Sequence, residues 1–188
     1  MDTTPPDSLS LVARKLIGAR YSWMMVGSLA GFLYGRIRAT ADMDLVLDCR
    51  GVDADGLSRV FAPEYMLDSE MVRSSVQHQM MFNALPLQGG LKVDLAPLVS
   101  HPFDQSAFQR RRQVVWHDLP IPVISPDDLV LSKLRWAKDS LSDRQLGDVH
   151  AIMAMGLVDE DDKYFRDWID SLGLGAVLDA SRSSRYDA

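Results

Sequence analysis

The chain has 188 residues, a hydrophobic content of 47% and a formal net charge of −6, which predicts one folded domain with a helical appendage and excludes a disordered chain. No apolar run approaches the length of about 18 residues that a membrane span needs, and no signal-peptide pattern occurs, so we expect a soluble, cytoplasmic protein without a membrane partner. The net charge argues against a general nucleic-acid coat protein, and the single cysteine, Cys49, excludes an internal disulfide and a thiolate metal cluster.

The first part of the chain has the pattern of a helix, a strand, a turn and a second helix. Apolar residues recur at helical spacing over residues 8–19, and the apolar run 23–26 predicts a buried strand. Gly27 and Ser28 then predict a turn, and residues 29–35 predict a short helix.

The middle of the chain is predicted to supply further strands. After a loop at 36–41, the apolar residues 43–47 predict a second buried strand, and residues 53–61 predict a helix. Residues 80–85 and 91–95 flank a segment with one proline and two glycines, which indicates a hairpin.

Two short apolar runs, 113–116 and 121–124, complete this part of the chain. Proline has no backbone N–H and cannot donate a hydrogen bond to a neighbouring strand. Because Pro120 and Pro122 lie in or beside the second run, we expect it to form an edge strand at best.

Two helices in the last third are predicted from their start signals. Ser125 as N-cap, with Asp128 three residues later, begins the first. Ser142, with Gln145 three residues later, begins the second, which is expected to end at Gly156.

A third, amphipathic helix is predicted over residues 161–171, and the tail after Asp179 is expected to be loose. These elements divide the chain into a predicted catalytic core, residues 1–124, and a helical part, residues 125–188, packed on that core.

The candidate catalytic residues are three aspartates on two of the predicted strands. Asp42 and Asp44 begin one strand, and a two-residue offset directs both side chains to the same face. Asp94 interrupts the apolar run of the second hairpin arm and would join them if the two strands are neighbours. Carboxylates that repel each other at the edge of an apolar strand require positive charge, so we expect them to bind Mg²⁺ or Mn²⁺.

The turn at Gly27 and Ser28 precedes these aspartates in the sequence. A Gly-Ser turn at the start of a helix offers backbone N–H groups and a hydroxyl to phosphate oxygens. An Asp-x-Asp pair by itself is most often a turn or a cap, but a phosphate-binding turn close to it favours a site for a metal and a nucleotide.

These motifs resemble those of the minimal nucleotidyltransferases of the DNA polymerase β type, including the AbiEii-type and MenT-like toxins. The resemblance covers roughly residues 23–153. It rests on Gly27-Ser28, on Arg38-x-Thr40-x-Asp42-x-Asp44-Leu45, on Lys92-Val93-Asp94-Leu95, on Ser125-Pro126-x-Asp128-Leu129, on Lys133-Leu134 and on Asp148.

The resemblance implies an α/β (α+β) nucleotidyltransferase fold, in which a short mixed β-sheet is flanked by helices and followed by a C-terminal helical extension. It also implies roles for particular residues. Asp42, Asp44 and Asp94 would be the catalytic residues and would bind the metal ions. A nucleoside triphosphate such as ATP would be bound by Gly27, Ser28, Arg38, Thr40 and Lys133. Candidates for substrate contacts are Arg36, Arg144 and Asp148.

Some of these positions have simpler interpretations. Lys133 lies on a helix with an apolar stripe, where a lysine commonly buries its stem and leaves its ammonium in water. Arg144 and Asp148 are one helical turn apart and could form only a surface ion pair. The residues that precede Asp148 also depart from the pattern of the toxins.

Two classes of function remain open from the sequence. The first is transfer of a nucleoside monophosphate to a hydroxyl of RNA (including tRNA), a protein or a small molecule, with pyrophosphate released. An RNA-modifying toxin with an antitoxin partner is one form of this activity, and an aminoglycoside-type enzyme, which suits an acidic protein, is another. The second class is a catalytically idle module that binds a nucleotide or a partner.

Overall fold

The computed structural model describes residues 5–36, 39–140 and 142–183. Within these ranges the chain forms nine helices and seven strands, which fall into two compact units. The first unit comprises the described part of residues 1–30 and 38–124, and the second that of residues 31–37 and 125–188. No helix in the described ranges combines the length and the apolar composition needed to cross a membrane.

The described part of the first unit contains a seven-stranded mixed sheet with the order β3-β4-β5-β2-β1-β7-β6. The strands are β1 (Trp23–Met25), β2 (Asp42–Leu47), β3 (Tyr65–Met66), β4 (Phe82–Pro86), β5 (Lys92–Pro97), β6 (Arg112–Trp116) and β7 (Leu119–Val123). β2 pairs in parallel with β5, and β1 pairs in parallel with β7, whereas the other neighbours are antiparallel. The two strands that carry the candidate aspartates are therefore adjacent in the sheet.

Five helices are interspersed with these strands along the described part of the chain. They are α1 (Pro5–Gly18), α2 (Gly27–Leu33), α3 (Ala54–Phe61), α4 (Ser69–His78) and α5 (Pro102–Gln109), and the residues of α2 after Ala30 belong to the second unit. α1 packs on β7 and α3. Its buried stripe is Leu9, Val12, Ala13 and Leu16, which repeats at helical spacing and explains why this segment is helical.

The predicted hairpin is confirmed, because β4 and β5 pair antiparallel with Ala84 opposite Val93. By contrast, β3 and α4 were not predicted. α4 is polar, and only Val72 and Ser75 of its residues are buried, so its apolar periodicity is weak. Its local signal is Asp68, whose carboxylate accepts hydrogen bonds from the N–H groups of Glu70 and Met71 in the first turn of the helix.

The prediction that residues 121–124 form at best an edge strand is wrong. β7 lies between β1 and β6 in the sheet. Pro120 and Pro122 pair with residues of β6, but β1 pairs with β7 only through Met25 and Val123, so no strand of the described residues lies beside the two prolines on the side away from β6. Most of this strand therefore has a single neighbour and needs no donors on its other side.

The described part of the second unit is helical, with α6 (Pro126–Ser140), α7 (Asp143–Ala154), α8 (Lys163–Leu172) and α9 (Gly175–Ser181). The predicted start of α6 is confirmed, since the Asp128 N–H donates to Ser125 Oγ at 3.2 Å and Ser125 Oγ donates to Asp128 Oδ2 at 2.7 Å. The expectation of a loose tail after Asp179 is wrong for the residues the structure describes. α9 continues through Asp179 to Ser181, whose buried hydroxyl donates to the Leu178 carbonyl at 2.7 Å.

Candidate active site

The pairing of β2 with β5 brings the three aspartates to one face of the sheet. In this parallel register Asp44 is the partner of Asp94, and Asp42 is the partner of Lys92. Register partners on neighbouring strands project to the same side, and residues two apart on one strand do so as well. Asp42, Asp44 and Asp94 therefore lie side by side, together with Lys92.

Burial differs among the three carboxylates. The Asp94 side chain is only 8% exposed, whereas that of Asp42 is 45% exposed. Asp44 is half-buried between two fully buried neighbours on its strand, Met43 and Leu45. Among these three aspartates, Asp42 is therefore accessible to solvent and Asp94 is buried.

Gly27 lies directly against the Asp44 carboxylate. Its φ is +67°, and a Cβ built on it would come 2.1 Å from Asp44 Oδ2. The preceding residue, Val26, donates its N–H to the Asp44 carbonyl at 2.9 Å. Only glycine combines this backbone conformation with so close an approach, so the first residue of α2 and the aspartate form a single local structure.

Two further polar side chains hold the Asp94 carboxylate. Asn83 is its register partner on β4 and donates from Nδ2 to Asp94 Oδ1 at 3.2 Å. Lys92 Nζ lies 2.9 Å from Asp94 Oδ2 and 3.5 Å from Asp42 Oδ1. The hydrogen bond to Asp94 is the main reason that the pKa of Lys92 is raised; burial opposes the shift, and the charges of Asp94 and Asp42 add to it. One ammonium therefore bridges two carboxylates on neighbouring strands.

Asn83 and Lys92 are not among the site residues predicted from the sequence. Lys92 could have been found from its place two residues before Asp94, because the strand period puts both on one face. Its contact with Asp42 and the contact of Asn83 with Asp94 depend on the registers of β2, β4 and β5, which are set by non-local pairing.

The carboxylate oxygens of the candidate site are chemically suitable ligands for a divalent cation. Among the described residues, no three His, Cys, Asp or Glu side chains are grouped closely enough to hold a metal ion as they stand. Asp42 and Asp94 nevertheless converge on one positive charge, the Lys92 ammonium. Carboxylate oxygens are the ligands that Mg²⁺ and Mn²⁺ prefer. The carboxylates can therefore accept such an ion if Lys92 withdraws.

Two further candidates of the first unit, Thr40 and Ser28, lie near the starts of β2 and α2. Thr40 Oγ1 donates to the Asp42 carbonyl at 3.1 Å and accepts from the Asp42 N–H at 3.4 Å, so its hydroxyl braces the start of the strand. Ser28 is half-buried in the first turn of α2. Arg38 lies outside the residues that the structure describes.

Within the second unit, Lys133, Asp148 and Arg36 form a buried ionic cluster. Lys133 Nζ donates to Asp148 Oδ2 at 2.7 Å and to Gln145 Oε1 at 3.3 Å. Arg36 contacts the other oxygen, Oδ1, with Nε at 3.1 Å and Nη2 at 3.0 Å. Asp148 is 2% exposed, so one buried carboxylate holds two cations.

This cluster changes the simpler interpretations of its residues. Lys133 is buried to its ammonium, so the solvated lysine considered from the sequence is wrong. The surface ion pair of Arg144 with Asp148 is also wrong, because Asp148 is buried against Lys133 and Arg36 while Arg144 lies exposed on α7. A phosphate contact by Lys133 stays a prediction.

The fold is similar to those of solved nucleotidyltransferase structures. The solution structure of the antibiotic-resistance factor ANT(2″)-Ia has 16% identity and a TM-score of 0.57, and the match covers 96% of this chain and 97% of that one. A crystal structure of ANT(2″)-Ia in complex with adenylyl-2″-tobramycin has 12% identity and a TM-score of 0.58, with coverage of 91% and 98%. An antigenic nucleotidyltransferase-like protein from Paracoccidioides brasiliensis has 15% identity and a TM-score of 0.53, with coverage of 94% and 91%.

No protein-family model and no curated protein matches the sequence. At these low identities the structural likeness establishes the fold and nothing finer. The mixed sheet with its helices has the nucleotidyltransferase fold, which confirms the predicted α/β fold class.

Proposed function

We propose that this chain transfers a nucleoside monophosphate from a nucleoside triphosphate to an acceptor hydroxyl. The acceptor oxygen forms a bond to the α-phosphorus, the bond from that phosphorus to the bridging oxygen breaks, and pyrophosphate leaves with the electron pair of that bond. The observation that carries the proposal is the register of β2 and β5, which aligns Asp42, Asp44 and Asp94 on one face beside the Gly27 turn.

The proposed metal ligands are Asp42, Asp44 and Asp94. When bound there, Mg²⁺ or Mn²⁺ would neutralise the charge that builds up on the phosphate oxygens and favour the ionised acceptor. Support comes from the contact between Gly27 and Asp44. A turn that binds phosphate against a carboxylate brings two anions together, and such a pair is stable only with a cation between them.

The chain's own residues supply orientation and proton acceptance. Asn83 donates to one oxygen of Asp94, which fixes the plane of that carboxylate. Asp94 accepts the proton of the acceptor hydroxyl as the new bond forms. Phosphate contacts by Ser28, Thr40, Arg38 and Lys133, and substrate contacts by Arg36, Arg144 and Asp148, rest on the resemblance of the sequence motifs. In the described conformation the Thr40 hydroxyl and the Lys133 ammonium have protein partners.

A small cationic molecule with hydroxyl groups is the acceptor that we favour. The chain carries a net charge of −6, which attracts a polycation and repels RNA. One similar structure, that of ANT(2″)-Ia, contains adenylyl-2″-tobramycin. Transfer to tRNA by a toxin that pairs with an antitoxin is the second candidate and rests on the motif resemblance.

The test is a transfer assay with Mg²⁺ and each α-labelled nucleoside triphosphate, offered with aminoglycosides, total tRNA or no added acceptor. Label on an aminoglycoside, lost in Asp44→Asn, is the expected result. Asp118→Asn is the matched control, because Asp118 is an exposed aspartate in the turn between β6 and β7. Label on tRNA alone would select the toxin-type activity. No label on any acceptor, with no Mg²⁺-dependent nucleotide binding, would favour a catalytically idle module that binds a partner.

A further inference from the structure

Lys92 is the positive charge at the centre of the candidate site. It stands opposite Asp42 in the register and two residues before Asp94 on the same strand. Its Nζ is within 3.5 Å of Asp42 Oδ1 and 2.9 Å of Asp94 Oδ2. The ammonium therefore occupies the space between two carboxylates that the proposed function assigns to a metal ion.

The burial of Asp94 explains why the chain needs this charge. A carboxylate with 8% exposure is costly to keep ionised unless a cation or several donors compensate for the lost hydration. Asn83 supplies one neutral donor, and Lys92 supplies the cation. Asp42 and Asp94 would otherwise repel each other across the strand pair.

An ammonium and a divalent ion cannot both lie between the same oxygens. Like charges at contact distance repel strongly where the surroundings are partly desolvated. The Lys92 side chain is 37% exposed, so its flexible stem can carry the ammonium outward to solvent. Asp94 has no such freedom, because Asn83 holds its other oxygen.

We propose that Lys92 is a tethered cation that holds Asp42 and Asp94 together in the metal-free protein and must be displaced when a divalent ion binds, an inference that rests on the metal site of the proposed function. Lys92 thus sets the metal affinity of the site. It weakens binding by competing for the carboxylates, and it keeps them close together for the ion that replaces it.

The test is direct Mn²⁺ binding, measured by electron paramagnetic resonance and by calorimetry on the full chain. Lys92→Met removes the charge and keeps the stem, Lys92→Gln removes the charge and keeps a donor, and Lys92→Arg keeps the charge. Lys163→Met is the matched control, because Lys163 is an exposed lysine on α8 that pairs with Asp167. Circular dichroism identifies which variants are folded, and Lys92→Gln serves if Lys92→Met is not.

The neutral variants are expected to bind Mn²⁺ about tenfold or more tightly than the unmodified protein. Lys92→Arg and Lys163→Met are expected to keep the affinity within about threefold. Saturating Mn²⁺ should also raise the Tm of Lys92→Gln more than that of the unmodified protein, because the metal there restores the missing charge.

The outcomes separate this inference from the proposed function. If the unmodified protein binds Mn²⁺ and the Asp44→Asn variant does not, the proposed metal site is supported. If the neutral Lys92 variants then bound Mn²⁺ no more tightly than the unmodified protein, only the proposed competition between Lys92 and the metal ion would be overturned. If neither the unmodified protein nor the neutral variants bind Mn²⁺, the metal site and the competition both fail.

Discussion

Asp44 and Asp94 are register partners on the adjacent parallel strands β2 and β5. They are 50 positions apart in the sequence, yet the pairing sets their side chains next to each other on one face. Gly27 reaches the Asp44 carboxylate from one side, and Asn83 reaches the Asp94 carboxylate from the other.

Replacement of Gly27 by alanine should damage both stability and nucleotide binding. The new Cβ would lie 2.1 Å from Asp44 Oδ2, and the φ of +67° is unfavourable for alanine. We expect a loss of about 1–3 kcal/mol in the free energy of unfolding. Gly18→Ala is the control, since no heavy atom lies within 4 Å of its added Cβ. Urea denaturation checks stability, and a Gly27→Ala variant as stable as Gly18→Ala would contradict the close packing.

Asn83 is predicted to act as a positioning residue for Asp94. Asn83→Ala removes the donor at 3.2 Å and frees the carboxylate to rotate. We expect kcat to fall about tenfold while KM for the nucleoside triphosphate changes less than about threefold. Gln113→Ala, an exposed amide on β6, is the control. If kcat were unchanged while stability dropped, the role of Asn83 would be only structural.

That Asp42 and Asp44 share one face was predictable from the sequence, because their spacing reflects a local property, the two-residue period of a strand. The β4–β5 hairpin and the start of α6 were also predictable, since a glycine turn and the Ser125 cap are local signals. The contacts of Lys92 with Asp42 and of Lys133 with Asp148 were not, because each joins segments that meet only in the folded chain. The internal position of β7 was missed for the same reason.

Loss of the Asp148 carboxylate should destabilise the chain strongly. Asp148→Ala would leave the Lys133 ammonium and the Arg36 guanidinium without their shared buried counterion. Removal of one partner from a buried ion pair costs about 3–5 kcal/mol. Asp167→Ala, which breaks the exposed pair with Lys163, should cost less than about 1 kcal/mol. If chemical denaturation showed the same loss of stability for both variants, the buried cluster would not contribute as described.

The ion pair of Lys15 with Glu64 should give a pH-dependent stability difference. Lys15 Nζ lies 2.6 Å from Glu64 Oε2, and this hydrogen bond is the main reason that the pKa of Glu64 falls below its ordinary value of 4.5. A lowered folded-state pKa stabilises the protein above the unfolded-state pKa, and this contribution disappears as the pH falls through the folded value.

Glu64→Gln should therefore be less stable than the unmodified protein between about pH 5 and pH 8, by less than about 1 kcal/mol because the carboxylate is partly exposed. The stability difference between the two proteins should shrink as the pH falls below about 4.5 and vanish once the pH is below the lowered folded-state pKa of Glu64. Denaturation at several pH values checks this. A difference that grew as the pH fell would contradict the pairing.

Anomalous diffraction from crystals grown with Mn²⁺ and a non-hydrolysable nucleoside triphosphate analogue tests whether Asp42, Asp44 and Asp94 hold the metal used in nucleotide transfer. We expect an Mn²⁺ peak within about 2.0–2.6 Å of oxygens of Asp44 and Asp94. We also expect the Lys92 ammonium to have moved away from those carboxylates. An analogue bound with no Mn²⁺ at these carboxylates, and with Lys92 still between Asp42 and Asp94, would contradict the proposed metal site.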